Sequence, residues 1–265
     1  MDRKLIPLVF ALFFFSYLTP AKSDCDVHAF QRVVQEDSTQ VHLLLTLFDD
    51  AELDQPSFPE TARLLKFREE LSEAVPLRGR DLIFAQVESY HKMPILQKRL
   101  NLIANAQVGG LSSATCLENY LFSHFVERFY SRDFPTEFQA YVLSAEPGFP
   151  FSKVYRIYFS AGDGRVWGYS PPTSELILEN LQKDVSAGWK YEYHLHSHPF
   201  YYHKEVGYYG GIVAPSDSDL NTYLGWFHFL GMREARITNG FDTFVLTPDQ
   251  LPIIMQTFPS EDSQN

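Results

Sequence analysis

Cysteine is nearly absent from the chain: Cys25 and Cys116 are the only two in 265 residues. Neither belongs to a Cys-x-x-Cys pair, so dithiol redox chemistry finds no motif here. Basic residues are in deficit, with 22 Lys and Arg against 33 Asp and Glu, for a net charge of -11. An acidic surface attracts neither nucleic-acid backbones nor anionic membranes, so no nucleic-acid partner is expected. Beyond residue 18 no apolar run approaches the roughly 20 residues that cross a bilayer, and no stable membrane insertion is expected. Internal repeats and low-complexity tracts are lacking too.

What is present begins with Arg3 and Lys4, followed by an apolar run from Leu5 to Leu18. Pro20 breaks the run, and Ala21-Lys22-Ser23 places small residues three and one before Asp24. This is the layout of a secretory signal peptide over residues 1–23, and it predicts a secreted or periplasmic protein. An uncleaved anchor fits less well, because the run is short. Lys22-Ser23-Asp24 before Cys25 is no lipobox. Asp2, Arg3, Lys4 and Lys22 sum to +2, so a chain starting at Asp24 carries about -13. Solubility is the simplest consequence. An oxidising destination permits a Cys25–Cys116 disulfide, though two buried thiols are equally compatible with the sequence.

Hydrophobic periodicity predicts an α/β (α+β) chain. Residues 24–110 read as a smaller N-terminal α/β domain: a helix over 26–35, a strand over 40–48, a loop marked by Pro56 and Pro59, a helix over 60–75, a strand DLIFAQV over 81–87, and a helix over 94–102. In element order this resembles the first half of a thioredoxin-like fold, without that family's cysteine pair. Gly109-Gly110 marks a boundary. A larger domain follows over 111–252, with a C-terminal tail over 253–265. Leu117, Leu121, Phe125 and Phe129 form the core stripe of its first helix. Strands are expected over 137–143, 154–159 and 165–169, the last two as a hairpin about AGDG. A helix over 173–183, a strand over 190–198 and a helix over 220–229 come next. Asn239-Gly240 predicts a type I′ turn between strands 235–238 and 241–246.

The strand 190–198 carries His194, His196 and His198 at alternate positions. Alternate residues share a face and lie roughly 6.7 Å apart, close enough for two imidazoles to converge on one zinc ion. His194 and His198 are roughly 13 Å apart along a strand, too far to share an ion easily. The pair is therefore His194/His196 or His196/His198, and Pro199, which ends the strand, favours the second. A further ligand is expected from APSDSDL, where Asp217 and Asp219 open a helix. Taken alone, Ser216-x-x-Asp219 is more simply a helix capping box. His42, His91, His124 and His228 are scattered and suggest no site. His203 has no assigned role.

HSHP followed by PSDSD resembles the JAMM (MPN+) metallopeptidase signature, His-x-His-Pro … Ser-x-x-Asp. The resemblance implies a mixed sheet flanked by helices over about half the chain and one zinc ion held by His196, His198 and Asp219. It implies Ser216 as a hydrogen-bond donor to the oxyanion. It also implies an upstream glutamate that opens a strand after a helix, with a small residue three positions on. Glu137, with Ala140, fits that place; Glu146, at the strand's far end beside Pro147, is the competitor. Two features depart from the family pattern. Ala140 stands where glycine is usual, and sixteen residues, FYYHKEVGYYGGIVAP, separate HSHP from the serine where six are usual. Five aromatics in that insertion suggest substrate contact.

What the resemblance implies is an exported zinc metallopeptidase or isopeptidase that hydrolyses an amide with a metal-activated water and Glu137 as general base. Its substrate would be a peptide or an isopeptide-linked protein, with ubiquitin-like conjugates and cell-wall peptides both open. The other readings are a non-catalytic MPN-like binding module and a three-histidine zinc enzyme of another class.

Overall fold

A computed structural model describes residues 30–36, 39–48, 61–131, 133, 136–148, 153–167, 175–203 and 207–257. The expected signal peptide, Cys25, the Pro56–Pro59 loop and residues 258–265 of the expected tail lie outside them. In chain order the elements are β1 (Phe30–Glu36), β2 (Gln40–Phe48), α1 (Ala62–Ala74), α2 (Gly79–Ser89), α3 (Pro94–Ala104), β3 (Gly110–Ser113) and α4 (Cys116–Arg128). Then come β4 (Phe138–Ala145), β5 (Val154–Gly162), α5 (Gly164–Trp167), α6 (Glu175–Ser186), β6 (Lys190–Ser197), β7 (Tyr202–His203) and β8 (Tyr208–Tyr209). The described chain closes with α7 (Asp217–Phe229), β9 (Glu234–Thr238), β10 (Asp242–Leu246) and α8 (Leu251–Met255). The class is mixed α+β, as expected.

Eight strands form one sheet in the order β1-β2-β5-β4-β6-β9-β10-β3. Only β6 and β9 run parallel, as a crossover through α7 requires. Residues of α1 and α4 pack on one face with Phe138, Ala140, Val142, Tyr193 and Leu195. Residues of α3, α6, α7 and α8 pack on the other with Tyr141, Leu143 and Tyr191. The alternation along β4 follows from the two-residue period of a strand. In β6 the register shifts opposite Val142/Leu143, so Tyr191 and Tyr193, two apart, face opposite cores.

The N-terminal segment is not a separate domain. β2 pairs with β5 through nine residues, from Gln40↔Gly162 to Phe48↔Val154, and Val41, Leu43, Leu45 and Leu47 share a core with Leu195. DLIFAQV lies in helix α2, with Leu82, Ile83 and Gln86 buried. A short apolar run does not distinguish a strand from a buried helix, and here packing decides. The order expected of a thioredoxin-like half thus gives way to two strands and three helices. The helix expected over 26–35 is strand β1 in its described part. Gly109-Gly110 marks no boundary: β3 begins there and pairs with β10 at the sheet edge. Gly109 has φ +69°, and a Cβ there would lie 1.9 Å from the Phe244 ring. β5 runs through Gly162, and residues 164–167 are helical, so AGDG is not a hairpin turn. At the Asn239-Gly240 turn only Gly240 has a positive φ, +89°. Type I′ needs two such residues. Asn239 instead accepts hydrogen bonds at Oδ1 from the backbone N–H groups of Phe241 and Asp242, at 3.0 and 2.9 Å.

Helix α4 is pinned to the sheet by Glu118, 1% exposed. Its carboxylate accepts from the Thr115 backbone at 2.9 Å, from Thr243 Oγ1 at 2.7 Å and from Arg236 at 3.0 Å. Removing one partner of a buried ionic network strands the other. Glu118→Ala should lower unfolding free energy by about 3–5 kcal/mol. Glu179→Ala, which removes an exposed pair with Lys183, should change it by less than about 0.5 kcal/mol. Urea denaturation of both variants checks this, and equal midpoints would remove Glu118 from the scaffold.

Candidate metal centre

Strand register brings the reactive groups together. In the β4–β6 pairing Gln139 lies opposite His196 and Tyr141 opposite His194. The same antiparallel count, extended past the strand ends, sets Glu137 opposite His198. His196 projects from the face that α7 covers. His198 lies one residue beyond β6, where its backbone N–H donates to Thr238 at 2.8 Å. Two residues on from His196 it keeps to the same face, and its ring lies against that of His196, with centroids 4.8 Å apart.

Helix α7 supplies the third element. Ser216 and Asp219 do form the capping box: Ser216 Oγ accepts from the Asp219 N–H at 3.2 Å, and Asp219 Oδ2 accepts from the Ser216 N–H at 2.7 Å. The box and the site are compatible. The cap fixes the Asp219 carboxylate at the helix start, facing both imidazoles. Tyr223 and Trp226 follow on the same helical stripe. Tyr223 meets His196, and Trp226 meets the ring of His194 edge-on at 4.6 Å.

Four donors converge. His196 Nε2 and His198 Nε2 are 3.0 Å apart. Asp219 approaches these nitrogens at 3.5 and 3.6 Å, through Oδ1 and Oδ2 respectively. Two ligands at 2.0–2.1 Å from a tetrahedral zinc lie about 3.3 Å from each other, so these separations suit one ion. Glu137 Oε1 is 3.7 Å from His198 Nε2, and Glu137, His196 and His198 also offer ligand atoms within 4.8 Å of one another. The group whose ligand atoms all lie within 4.8 Å of one another is Glu137, His196 and His198, whereas Asp219 meets His196 through one oxygen and His198 through the other, so both carboxylates are candidate ligands.

The far ring nitrogens are held in a way that frees the near ones. His198 Nδ1 faces the backbone carbonyl of Ile212, which can only accept, so Nδ1 carries a proton and Nε2 is the nitrogen that offers a lone pair once the ring is neutral. His196 Nδ1 lies 3.0 Å from the Tyr223 oxygen, which can accept in the same manner. Burial alone would lower the His198 pKa, but the carboxylates of Glu137 and Asp219 outweigh it and raise it to about 9. Burial would raise that of Asp219, but His196 and His198 hold it well below the usual carboxylate range. The cluster favours positive charge, as a proton or as a metal ion.

His194 stands behind the site. Its ring stacks on that of His196 at 5.4 Å, and among the described residues neither of its nitrogens has a hydrogen-bond partner. Burial, reinforced by His196, pushes its pKa well below the usual value. Glu146 is remote, paired with Lys190 at 2.7 Å and exposed at the other end of β4. The side chain of His203 lies outside the described residues. Two partners escaped the sequence reading, Tyr223 and the Ile212 carbonyl. Tyr223, one turn after Asp219, could have been found from helical spacing; the carbonyl has no sequence signal.

Of the insertion's aromatics, Phe200 is fully buried in the core, Tyr201 lines a cavity beside the cluster, and the Tyr202 and Tyr209 rings pack together at 5.5 Å. That cavity measures about 200 Å³ and opens onto Glu137, His198 and Ser216. Among the described residues no helix is long and apolar enough to cross a membrane. The chain matches no protein-family model, no characterised protein and no solved structure.

Protein equilibrated with zinc should retain about one ion per chain. His196→Ala, His198→Ala and Asp219→Ala should each lose it, whereas His194→Phe should keep it. Elemental analysis after gel filtration decides, and a stoichiometric ion in His198→Ala would sink the assignment. The metal-free protein should also respond to pH. His198 has a folded-state pKa of about 9, against about 6.5 unfolded. Its stabilising contribution is complete below about pH 6.5 and is lost as pH rises through 9. Urea midpoints of metal-free protein should fall across that range, and less so in His198→Ala. Parallel curves would contradict the raised pKa.

Proposed function

We propose that the chain is an exported zinc-dependent amide hydrolase, a peptidase or isopeptidase of the JAMM type. The observation that carries the reading is the convergence of His196, His198, Asp219 and Glu137 beside an open cavity. Two neutral imidazoles and one carboxylate form a donor set suited to zinc. Three protein ligands leave a position open, which separates catalytic from structural zinc sites. A zinc ion held by His196, His198 and Asp219 would supply a Lewis acid and make water acidic near neutral pH.

The remaining roles belong to the chain itself. Glu137 takes a proton from the attacking water and returns it to the leaving nitrogen, as a positioned carboxylate beside the centre can. Ser216 accepts a hydrogen bond from Asp219 N–H, so its own hydroxyl proton stays free to donate to the oxyanion; one such donor is commonly worth about 3 kcal/mol. Tyr223 and the Ile212 carbonyl hold the two rings against rotation. The substrate is a peptide or isopeptide-linked protein, with ubiquitin-like conjugates and cell-wall peptides as the classes to be tried. Export rests on the N-terminal 23 residues and on Cys116, which is disulfide-bonded. A structural disulfide is characteristic of oxidising compartments.

Glu137→Gln separates base from ligand. It should retain stoichiometric zinc and the wild-type melting profile, yet lose about 10²–10⁴-fold in turnover. Glu146→Gln should be near normal. A panel of ubiquitin chains, peptidoglycan cross-link peptides and generic peptides supplies the substrate. Zinc loss in Glu137→Gln would make it a ligand, and full activity would remove it from the mechanism.

A further inference from the structure

The cavity beside the cluster has a composition of its own. Its polar side is formed by Glu137, His198 and Ser216, already given chemical roles, and by Thr136. Its other walls are apolar: Leu96, Pro199, Tyr201, Ile212 and Ala214. No Lys or Arg lines it among the described residues. At about 200 Å³ it falls below the roughly 300–1,000 Å³ of sites that enclose a whole small molecule. It is large enough for one side chain.

Its walls come from two places that the metal-binding motif does not include. Leu96 stands on α3, in the N-terminal segment. Three residues on, Arg99 fixes α3 to the start of α7, reaching the Pro215 carbonyl at 3.1 Å and pairing with Asp217. Leu96 is thereby tied to the same helix terminus that presents Asp219. Described residues of the insertion, Pro199 aside, form the facing wall, and hydrogen bonds hold three of their carbonyls to the body of the fold. The Gly210 carbonyl accepts from Gln86 of α2 at 3.1 Å, the Gly211 carbonyl from Asn239 at 3.0 Å and the Phe200 carbonyl from Tyr130 at 3.0 Å. Gly211, at φ +71°, lies so close to Phe200 that a Cβ would meet its ring at 2.5 Å.

We propose that this cavity is a substrate subsite, and that it receives one uncharged aliphatic side chain adjoining the scissile amide, with Leu96 setting its depth. The assignment rests on the proposed hydrolase reading and adds to it a substrate class. Apolar walls favour an aliphatic group by roughly fourfold in affinity per buried methylene. An acidic side chain is disfavoured, because the walls away from the metal cluster are apolar and no Lys or Arg among the described residues lines them to pair with it.

Three hydroxamic acids test the subsite by calorimetric titration of the zinc-loaded full chain. Acetohydroxamic acid reports the metal centre alone. 4-Methylpentanoyl hydroxamic acid adds a branched aliphatic tail, and succinyl monohydroxamic acid adds a carboxylate. The aliphatic compound should bind at least about tenfold tighter than acetohydroxamate, and the succinyl compound should gain nothing. Leu96→Trp should abolish the aliphatic advantage. Leu96→Ala, which only removes bulk, should extend it to a 3-phenylpropanoyl tail and guards against a misfolded tryptophan variant. If acetohydroxamate binds in a zinc-dependent manner but the tail adds nothing, the subsite is wrong and the metal centre stands. If neither zinc nor acetohydroxamate binds, the hydrolase reading fails and the subsite with it. An aliphatic advantage unchanged in both Leu96 variants would move the subsite elsewhere.

Discussion

Antiparallel register between β4 and β6 decides where the two histidines and Glu137 meet. The pairing sets His196 opposite Gln139, and one further repeat brings Glu137 to His198. A one-residue slip of β6 would turn His196 into the core that Tyr193 and Leu195 occupy, away from the face that carries Glu137. That slip is opposed by both cores. Phe138, Ala140 and Val142 must face α1 and α4, while Tyr141 and Leu143 face the other layer. The bulge at the start of β6 lets Tyr191 fill the second core without disturbing the histidine face. Stability of the sheet and placement of the site are thus one constraint.

Helix α7 completes the arrangement through its own local chemistry. A capping box ordinarily satisfies two backbone donors at a helix start. Here it does so and also immobilises a carboxylate 3.5 Å from one imidazole and 3.6 Å from the other. The sequence sets capping against metal binding for Ser216 and Asp219; the capping box forms, and it leaves the Asp219 carboxylate facing both imidazoles. Asp219 gains a fixed orientation from the cap, and the cap gains a negative charge where the helix dipole favours one.

Much of this was legible in residue spacing. Alternation along KYEYHLHS predicts that neighbouring histidines of the three share a face, and Pro199 predicts that the strand ends at His198, one residue beyond where β6 stops. The helices with long apolar stripes, α1 and α4, were equally readable. The N-terminal segment was not. DLIFAQV has the β-like look of a short apolar run, but burial of Leu82, Ile83 and Gln86 between other elements makes it a helix. Nor does local sequence disclose that β2 joins β5 across more than a hundred residues, because pairing partners are chosen by the whole sheet. The consequence is functional as well as architectural. α2 and α3, read as parts of another domain, supply Gln86, Leu96 and Arg99 to the surroundings of the cluster.

The central claim is that His196, His198 and Asp219 hold one metal ion, with Glu137 beside it and not bound. Anomalous diffraction at the zinc edge from crystals of the zinc-loaded protein tests this most directly. The account predicts a single peak per chain within about 2.0–2.2 Å of His196 Nε2, His198 Nε2 and one Asp219 oxygen, with Glu137 outside that distance. A peak ligated by Glu137 in place of Asp219, a peak at another location, or no peak in a fully folded chain would contradict it.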